Sequence, residues 1–491
     1  MMRSLFSAVS GLKSHQTRMD VIGNNIANVN TVGFKSSRTT FADTLYQTTA
    51  GASAPSGNVG GTNPKQIGLG VGVSSIDTLF TDGSPQTTGN NTDLAMGGDG
   101  LFAVQNANGT FYTRDGAFAF DEANNYVLPG TGAKVMGWMA DATGSINTGN
   151  LPAPISITDT QLSMPPAATT TVTYSGNLNS TVPTITAMRD QNGAALPAGQ
   201  PVSVVAPTNP PTQGAITSLT LTMSDGSTQT ISASQTNPVI QYQTGWSLPI
   251  VTTANVYDSL GTLHKIPITF TKRPATPGNP QVADVWSVNR GTATITESDG
   301  STTDVTMNPV NLQFDQNGQY FGGGGTSTLT LRNGAGSGTI QNPSNTMNAT
   351  VNLSGLTQYA LGSTEKADSD GNAAGTNQDI SLDSSGTITM TYTNGQRRAI
   401  GQVAIARFTN SAGLTRSGGN LYAESNNSGP VQYGTASDLG VTLTPGSLEM
   451  SNVDIANEFS DMIVTQRGFQ SNSKIITVDD EMLDTVVNMK R

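Results

Sequence analysis

The feature that most constrains the fold of this chain is a change in the period of its apolar residues. Near both ends these residues recur at alternating steps of four and three, which is the helical period. Between about residues 70 and 440 they recur at every second position, as in the runs 219–223 and 388–392. Period two is typical of strands that bury one face. We therefore predict helices at the two ends of the chain and β structure between them.

The N-terminal pattern predicts one amphipathic helix. Its apolar positions, interrupted by Gln16 and Gly23, are Leu5, Val9, Leu12, Met19 and Ile26. The C-terminal pattern is longer, and three of its steps are polar. Its apolar positions are Ile455, Phe459, Met462, Phe469, Ile476, Leu483 and Val487. Four to five heptads of this kind predict a coiled-coil type seam.

The charges of the two ends favour their association. Residues 1–50 carry 5 basic and 2 acidic side chains, a balance of +3, and residues 451–491 carry 4 basic and 7 acidic, a balance of −3. Opposite charges on two apolar-striped helices favour and steer their pairing. The alternative is that both are ordinary surface helices docked on a globular core.

The middle of the chain is rich in pairs that end a strand. Asn-Gly or Asp-Gly occurs at 108–109, 192–193, 225–226, 299–300, 317–318, 333–334 and 394–395. Because such pairs accept the positive φ angles of two-residue hairpins, they predict an all-β middle of hairpins and sandwich- or barrel-like units.

Composition excludes several classes of chemistry. The 491 residues include no Cys and two His, so thiolate metal sites, disulfides and cysteine nucleophiles are impossible. The formal charge of −11, from 23 basic and 34 acidic residues, argues against nucleic acid as a partner. No run approaches the ~18 apolar residues of a membrane span. We also find no phosphate-binding loop and no secretory signal, so we expect no cofactor, and either a cytosolic protein or one exported without a cleaved signal.

No catalytic site is visible in the sequence. His264 alternates within a strand-like run and reads as a residue on a strand face, while His15 lies on the N-terminal helix as an interface or surface polar group. A polysaccharide-degrading enzyme would need two carboxylates facing one cleft, and no local cluster indicates them. We expect no metal site and a protein that is not an enzyme.

The two ends resemble a known family. Residues 19–35, MDVIGNNIANVNTVGFK, resemble the N-terminal signature of bacterial flagellar rod and hook proteins, and residues 448–454, LEMSNVD, resemble their C-terminal block. Three internal segments are similar to the flagellar hook protein family in particular. They are YDSLG at 257–261, YTNGQ at 392–396 and GLTRSGGNLY at 413–422. The resemblance covers about 1–180 and 250–491, and nothing is recognised between 185 and 248.

The resemblance implies a structural subunit that polymerises into the flexible tube of the flagellar hook, a universal joint that carries torque from motor to filament. It also implies export through the flagellar secretion apparatus, an extracellular position in the flagellum, and distal rod, hook cap and hook–filament junction proteins as partners. The apolar positions given above for both helices would then be buried only on assembly. Hinges between helix and outer domains are expected at Gly23, Asn24, Asn25 and Gly33.

The expected organisation comprises five regions. Residues 1–46 and 446–491 form a helical inner-core domain, and 47–71 form an extended connector. Residues 72–145 and 358–445 form a β-rich inner middle domain, 146–184 and 250–357 an outer β domain, and 185–249 a variable insertion. The rival interpretations are a distal rod protein, which shares both ends but is usually far shorter, and a secreted β-rich adhesin, which has no need of paired terminal helices.

Overall fold

A computed structural model describes residues 2–57, 60–141, 143–204, 215–232, 240–274, 284–289, 291–296, 302–333 and 346–489. The chain is mainly β and has one long helix near each end of the sequence, which confirms the predicted fold class. It divides into two compact units. One unit comprises Met1–Leu162 with Asn377–Arg491, and the other comprises Ser163–Thr376.

Helices lie at the ends of the chain and at two short places within it. They are α1 (Met2–Ala27), α2 (Asp159–Leu162), α3 (Ala436–Leu439) and α4 (Ile455–Asn488), with a short 3-10 helix at Ser411–Gly413. The start of α4 is fixed by Asp454, whose carboxylate accepts the backbone N–H of Ala456 at 2.9 Å. This side chain satisfies a donor that the first helical turn leaves open.

The strands up to the second unit are β1 (Ser37–Asp43), β2 (Tyr46–Ala50), β3 (Lys65–Gly68), β4 (Val71–Thr78), β5 (Pro85–Thr87), β6 (Leu94–Gly97), β7 (Leu101–Asn106), β8 (Gly109–Thr113), β9 (Ala119–Phe120), β10 (Tyr126–Leu128), β11 (Ala133–Met139) and β12 (Ala153–Pro154). The strands of the second unit are β13 (Ser163–Met164), β14 (Thr171–Asn179), β15 (Ile185–Asp190), β16 (Val202–Ser203), β17 (Ser218–Met223), β18 (Thr228–Ser232), β19 (Gln241–Tyr242), β20 (Ile250–Tyr257), β21 (Leu263–Arg273), β22 (Asp284–Asn289), β23 (Gly291–Thr296), β24 (Thr302–Met307), β25 (Val310–Phe314), β26 (Tyr320–Gly322), β27 (Thr326–Asn333), β28 (Thr346–Tyr359) and β29 (Lys366–Ser369). The remaining strands are β30 (Gly375–Leu382), β31 (Thr387–Tyr392), β32 (Arg397–Val403), β33 (Ile405–Arg407), β34 (Thr415–Gly418), β35 (Leu421–Ala423), β36 (Gln432–Gly434), β37 (Thr442–Pro445) and β38 (Ser447–Glu449).

The first unit is built on one antiparallel sheet in which three strands from the N-terminal half of the chain lie between strands from the C-terminal half. Its order is β30-β31-β32-β11-β7-β8-β35-β34. Its core includes Phe102, Val135, Ile388 and Ile405. Two further pairs, β6 with β37 and β5 with β38, bind the segment that precedes α4 to the N-terminal half. The segment that leads into α4 is therefore held by strand pairing.

The second unit is a sandwich. A six-stranded sheet, β23-β24-β27-β28-β14-β29, and a five-stranded sheet, β20-β21-β22-β25-β26, share one core that includes Tyr174, Phe270, Trp286 and Leu331. Two small sheets, β15-β17-β18 and β16-β19, have a separate core around Leu219. The alternation that predicted strands in these regions corresponds to the inward-facing side chains.

The hairpin turns differ from the predicted type. At Asn192-Gly193 and Asn317-Gly318 only the glycine has positive φ, whereas a two-residue type I′ turn needs positive φ at both central positions. Each glycine N–H donates to the carbonyl three residues earlier, at Asp190 and Asp315. These are type I turns followed by one left-handed residue, so the prediction of two-residue loops was wrong here. Asp299-Gly300 and Gly334 of Asn333-Gly334 lie outside the described residues.

The compact units do not coincide with the expected regions. The chain stays with the second unit as far as Thr376, because β14 pairs with β28 on one side and with β29 on the other. Residues 47–71, the expected connector, include the antiparallel pair β2–β3. Likewise β1, which lies within the N-terminal segment of the expected helical domain, pairs with β4. The division into five regions stays a prediction.

Candidate functional site: the paired terminal helices

Helices α1 and α4 pack antiparallel along their length. Near the end of α1, the Asn25 amide donates to Glu458 Oε1 at 2.9 Å. Two turns earlier, Arg18 pairs with Asp461 at 3.0 Å. The opposite charges of the two ends therefore meet across this pair, as the charge balance predicted.

The row of α4 that faces α1 is polar. Glu458, Thr465, Asn472 and Asp479 follow one another at intervals of seven residues, and Thr465 and Asp479 are fully buried. Most buried residues of α1 have small or short side chains, namely Ala8, Gly11, Ser14 and Asn25, and Ile22 is the large one. Ser14 is buried against β4, since its hydroxyl donates to the carbonyl of Val71 at 3.4 Å. Seven-residue spacing keeps a row on one side of a helix, so the predicted period is present in a different row.

Small residues set the distance between the helices. A Cβ on Gly11 would lie 2.8 Å from Nδ2 of Asn472, and a Cβ on Gly468 would lie 2.6 Å from Cε1 of His15. Each glycine thus receives a larger side chain from the other helix. The prediction that His15 is an interface or surface polar group places it correctly on α1, where it packs over Gly468.

The residues predicted for assembly lie mostly away from this polar row. Leu5, Val9, Leu12, Met19, Ile26, Met462, Ile476 and Leu483 are partly buried, whereas Ile455, Phe459, Phe469 and Val487 are exposed. Phe459 is 49% exposed and Val487 is 68% exposed. Of the polar row, Glu458 accepts the Asn25 amide across the helix pair. Thr465 and Asn472 instead donate to carbonyl groups of α4 itself. The large apolar groups are left on the flanks of α4.

The four predicted hinge residues occupy different environments. Gly23 has nothing within 4 Å of a Cβ position, and Asn24 is exposed. In contrast, the buried Asn25 accepts the N–H of Ser37 at 2.9 Å and donates to the carbonyl of Ser37 at 2.8 Å. Gly33 has φ +66°, and a Cβ there would lie 2.6 Å from the backbone nitrogen of Asp115.

A charged cluster that the sequence did not predict lies next to Gly33. Lys35 Nζ lies 2.5 Å from Glu449 Oε1, and Arg114 Nη1 lies 3.1 Å from Glu449 Oε2. These side chains are at most 1% exposed. Burial lowers the pKa of Lys35 and outweighs the raising effect of Glu449. Lys35 and Glu449 lie in the two end segments that resemble the family, and Arg114 lies outside both. Nothing local in the sequence indicates that these charges meet.

Other chemistry has little support in the described ranges of the chain. His264 is buried on β21 with Nε2 3.8 Å from Asp258 Oδ2, in the hairpin that joins β20 to β21. Among the described residues no group of three or more His, Asp or Glu side chains could hold a metal ion. No helix in the described ranges is long and apolar enough to cross a membrane.

Four family models match the chain in sequential order. "Flagella basal body rod protein" matches residues 5–35, and "Flagellar hook protein FlgE/F/G D1 domain" matches 95–179. "Flagellar basal body protein FlaE D2 domain" matches 250–372, and "Flagellar basal body rod FlgEFG protein C-terminal" matches 444–489. Paired terminal helices around nested β units, with these matches at both ends, define an axial protein of the rod and hook class.

Full-length relatives narrow the class. The chain is 38% identical to the flagellar hook protein FlgE of Treponema pallidum over 100% of both chains. It is 33% identical to that of Salmonella typhimurium over 99% of this chain and 100% of the other. The flagellar basal-body rod protein FlgG of Bacillus subtilis is 28% identical over 100% of both. The chain belongs to the flagellar hook protein FlgE family and is a structural subunit of the flagellar hook.

Proposed function

We propose that this chain polymerises with copies of itself into a flexible helical tube, the universal joint that carries torque from motor to filament. Its terminal helices would form the inner wall of the tube, and its β units would face outward. Membership of the hook family supports this proposal, and so does the distribution of apolar side chains along α4.

The observation that carries the proposal is the large apolar area that α4 leaves exposed in the single chain. Its exposed apolar side chains are Ile455, Phe459, Ile463, Val464, Phe469, Ile475, Val478, Met482, Val486, Val487 and, at the C-cap, Met489. Burial of apolar surface contributes roughly 25 cal/mol per Å². A helix that contacts one neighbour through a polar row and exposes apolar flanks is suited to further helices as neighbours. We propose that those further helices belong to neighbouring subunits.

We propose that the predicted seam residues of both helices are buried against neighbouring subunits on assembly. On α1 they are Leu5, Val9, Leu12, Met19 and Ile26, and on α4 they include Met462, Ile476 and Leu483. For bending, Gly23 and Asn24 are the proposed hinge positions, because one has open space beside it and the other is exposed. The lightly charged outer β units would slide against neighbouring subunits at low cost.

The remaining elements of the proposal follow from the family. The subunit would leave the cell through the flagellar secretion apparatus without a cleaved signal, and it would contact distal rod, hook cap and hook–filament junction proteins. It would act without catalysis or a cofactor. The rival distal rod protein has weaker support, since the full-length similarity to a rod protein is at 28% identity.

Polymerisation of the purified chain tests the proposal. Phe459→Ser should leave the helical circular dichroism of the single chain unchanged while tubes seen by electron microscopy become fewer. Val251→Ser is the matched control, because Val251 is an exposed apolar residue of β20, outside α4. Equal polymerisation by both variants would contradict the assignment of α4 to the wall of the tube.

Antibody against residues 146–357 tests the location in intact cells. Immunogold label confined to a short curved segment between cell body and filament is the expected result. Label within the envelope at the base of this segment would favour the rod protein. Label over the whole cell surface would favour the adhesin.

A further inference from the structure

The strongest unexplained feature of the first unit is the charged cluster at the exit of α1. Lys35, Arg114 and Glu449 are fully buried, and Asp82, which is half exposed, lies 3.5 Å from Arg114. Two cations therefore face two carboxylates, and the charges balance. The cluster brings together residues that are as many as 414 positions apart in the sequence.

The cluster also satisfies backbone groups from several segments. Glu449 Oε1 accepts the N–H of Gly83 at 2.9 Å, and Lys35 Nζ donates to the carbonyl of Thr81 at 2.6 Å. Arg114 Nη1 donates to the carbonyl of Met96 at 3.2 Å. A buried charge that loses its partner is strongly destabilising, so each member of such a network restrains the others.

Backbone hydrogen bonds and close contacts also restrain the segments around the cluster. The N–H of Gly33 donates to the carbonyl of Glu449 at 2.8 Å, while its α-carbon packs against the backbone of Arg114 and Asp115. Asn452 accepts the N–H of Ser36 at 2.7 Å. The chain leaving α1 and the chain entering α4 are thus bonded to each other and to the β structure.

We propose that Glu449 clamps these segments (31–36, 81–83, 114 and 449–452) into one rigid block, so that the terminal helices leave the β structure in a fixed direction. Gly33 is then a close-packing residue of the clamp, and bending of the subunit takes place outside it. The clamp is a property of the single chain and does not depend on the assembly proposed above.

Spin labels test rigidity directly. The chain has no cysteine, so labels can be attached at Ala27→Cys and Asn108→Cys, both of which are exposed. Ala27 is the last residue of α1 and follows the proposed hinge positions, so bending at the hinges does not move this label, and Asn108 lies on the hairpin of β7 and β8. Pulsed electron–electron double resonance on the full chain should give one narrow distribution of the distance between the two labels. With Glu449→Gln added, the narrow peak should be lost, while amide exchange in β7 and β11 stays slow.

The matched control is Glu122→Gln, the same chemical change at an exposed position, which should keep the narrow distribution. If Glu449→Gln unfolds the whole chain, Glu449→Asp decides, since it keeps the charge but withdraws the carboxylate from both cations, and it should broaden the peak. A broad distribution in the unsubstituted chain would overturn the clamp. An unchanged narrow peak in the deciding Glu449 variant would overturn it as well.

Discussion

Asn472 lies over Gly11, with its amide nitrogen 2.8 Å from the place that a Cβ on Gly11 would occupy. The same amide donates to the carbonyl of Gly468 at 3.1 Å, one turn earlier on α4. This contact lies within the polar row, where helix spacing is set by the absence of a side chain. The pairing of α1 with α4 therefore depends on small residues more than on apolar burial.

Gly11→Ala should weaken the helix pair. Alanine favours an isolated helix by about 1 kcal/mol over glycine, but here its methyl group would displace the Asn472 amide and separate the helices. We expect a lower midpoint for the loss of the 222 nm circular dichroism signal on heating. Asn472→Ala in the same chain should restore the midpoint by making room.

Gly23→Ala is the control in the same helix. A Cβ there meets nothing within 4 Å, so only the propensity gain of about 0.5–1 kcal/mol acts, and the midpoint should rise. A rise for both glycine variants would contradict the close approach at Gly11.

Sequence periodicity predicted the terminal helices and the β middle because it depends on local geometry alone. It did not predict which row of α4 faces α1. Thr465 and Asp479 are polar, and their burial follows from the register of two segments more than 400 residues apart. Local patterns assign apolar residues to an interface, whereas this interface uses the polar row and leaves Phe459 exposed.

The sequence did not predict the charged cluster at Glu449 or the type of the hairpin turns, for related reasons. Lys35 and Glu449 are single charges whose partnership exists only after the whole first unit has folded. The turn at Asn317-Gly318 depends on the φ of one residue, which the dipeptide alone does not determine. The family resemblance supplied the assembly, which no single-chain pattern contains.

Gly33→Ala should destabilise the first unit by about 2–4 kcal/mol, from left-handed strain and from overlap with the Arg114–Asp115 backbone. Urea unfolding followed by tryptophan fluorescence and circular dichroism measures this change. Gly395→Ala is the matched control, because Gly395 also has positive φ but nothing lies within 4 Å, so strain alone should cost about 1–2 kcal/mol. Equal losses would show that Gly33 is merely a turn residue.

Glu458→Gln should remove a pH dependence from the helix pair. Burial raises the pKa of Glu458 and outweighs the lowering by the Asn25 hydrogen bond, while Asp461 raises it further and Arg18 lowers it. A carboxyl with a raised folded-state pKa contributes stability below its unfolded pKa of about 4.3, and this contribution is lost as pH rises through the folded value. The wild-type chain should therefore lose stability relative to the variant as pH rises from about 4 through the folded-state pKa of Glu458.

The measurement is the difference between the urea midpoints of the two chains at each pH, which cancels the titration of all other groups. The side-chain carbonyl of the introduced glutamine can still accept the Asn25 amide, so the hydrogen bond is retained. A wild-type chain that gains stability relative to the variant over this range would contradict the direction of the pKa shift.

Asn124→Gly should stabilise the first unit. Asn124 has φ +57° and donates its N–H to the carbonyl of Asp121 at 2.9 Å, while Asp121 Oδ1 accepts the N–H of Asn125 at 2.7 Å. Five other turns in the described ranges repeat this arrangement with glycine at the left-handed position, at Gly144, Gly193, Gly261, Gly318 and Gly386. Glycine should relieve about 0.5–1 kcal/mol of strain, whereas Asn124→Ala should lose about 1 kcal/mol. Thermal unfolding of the three chains gives the order, and a glycine variant less stable than the alanine variant would contradict the shared geometry.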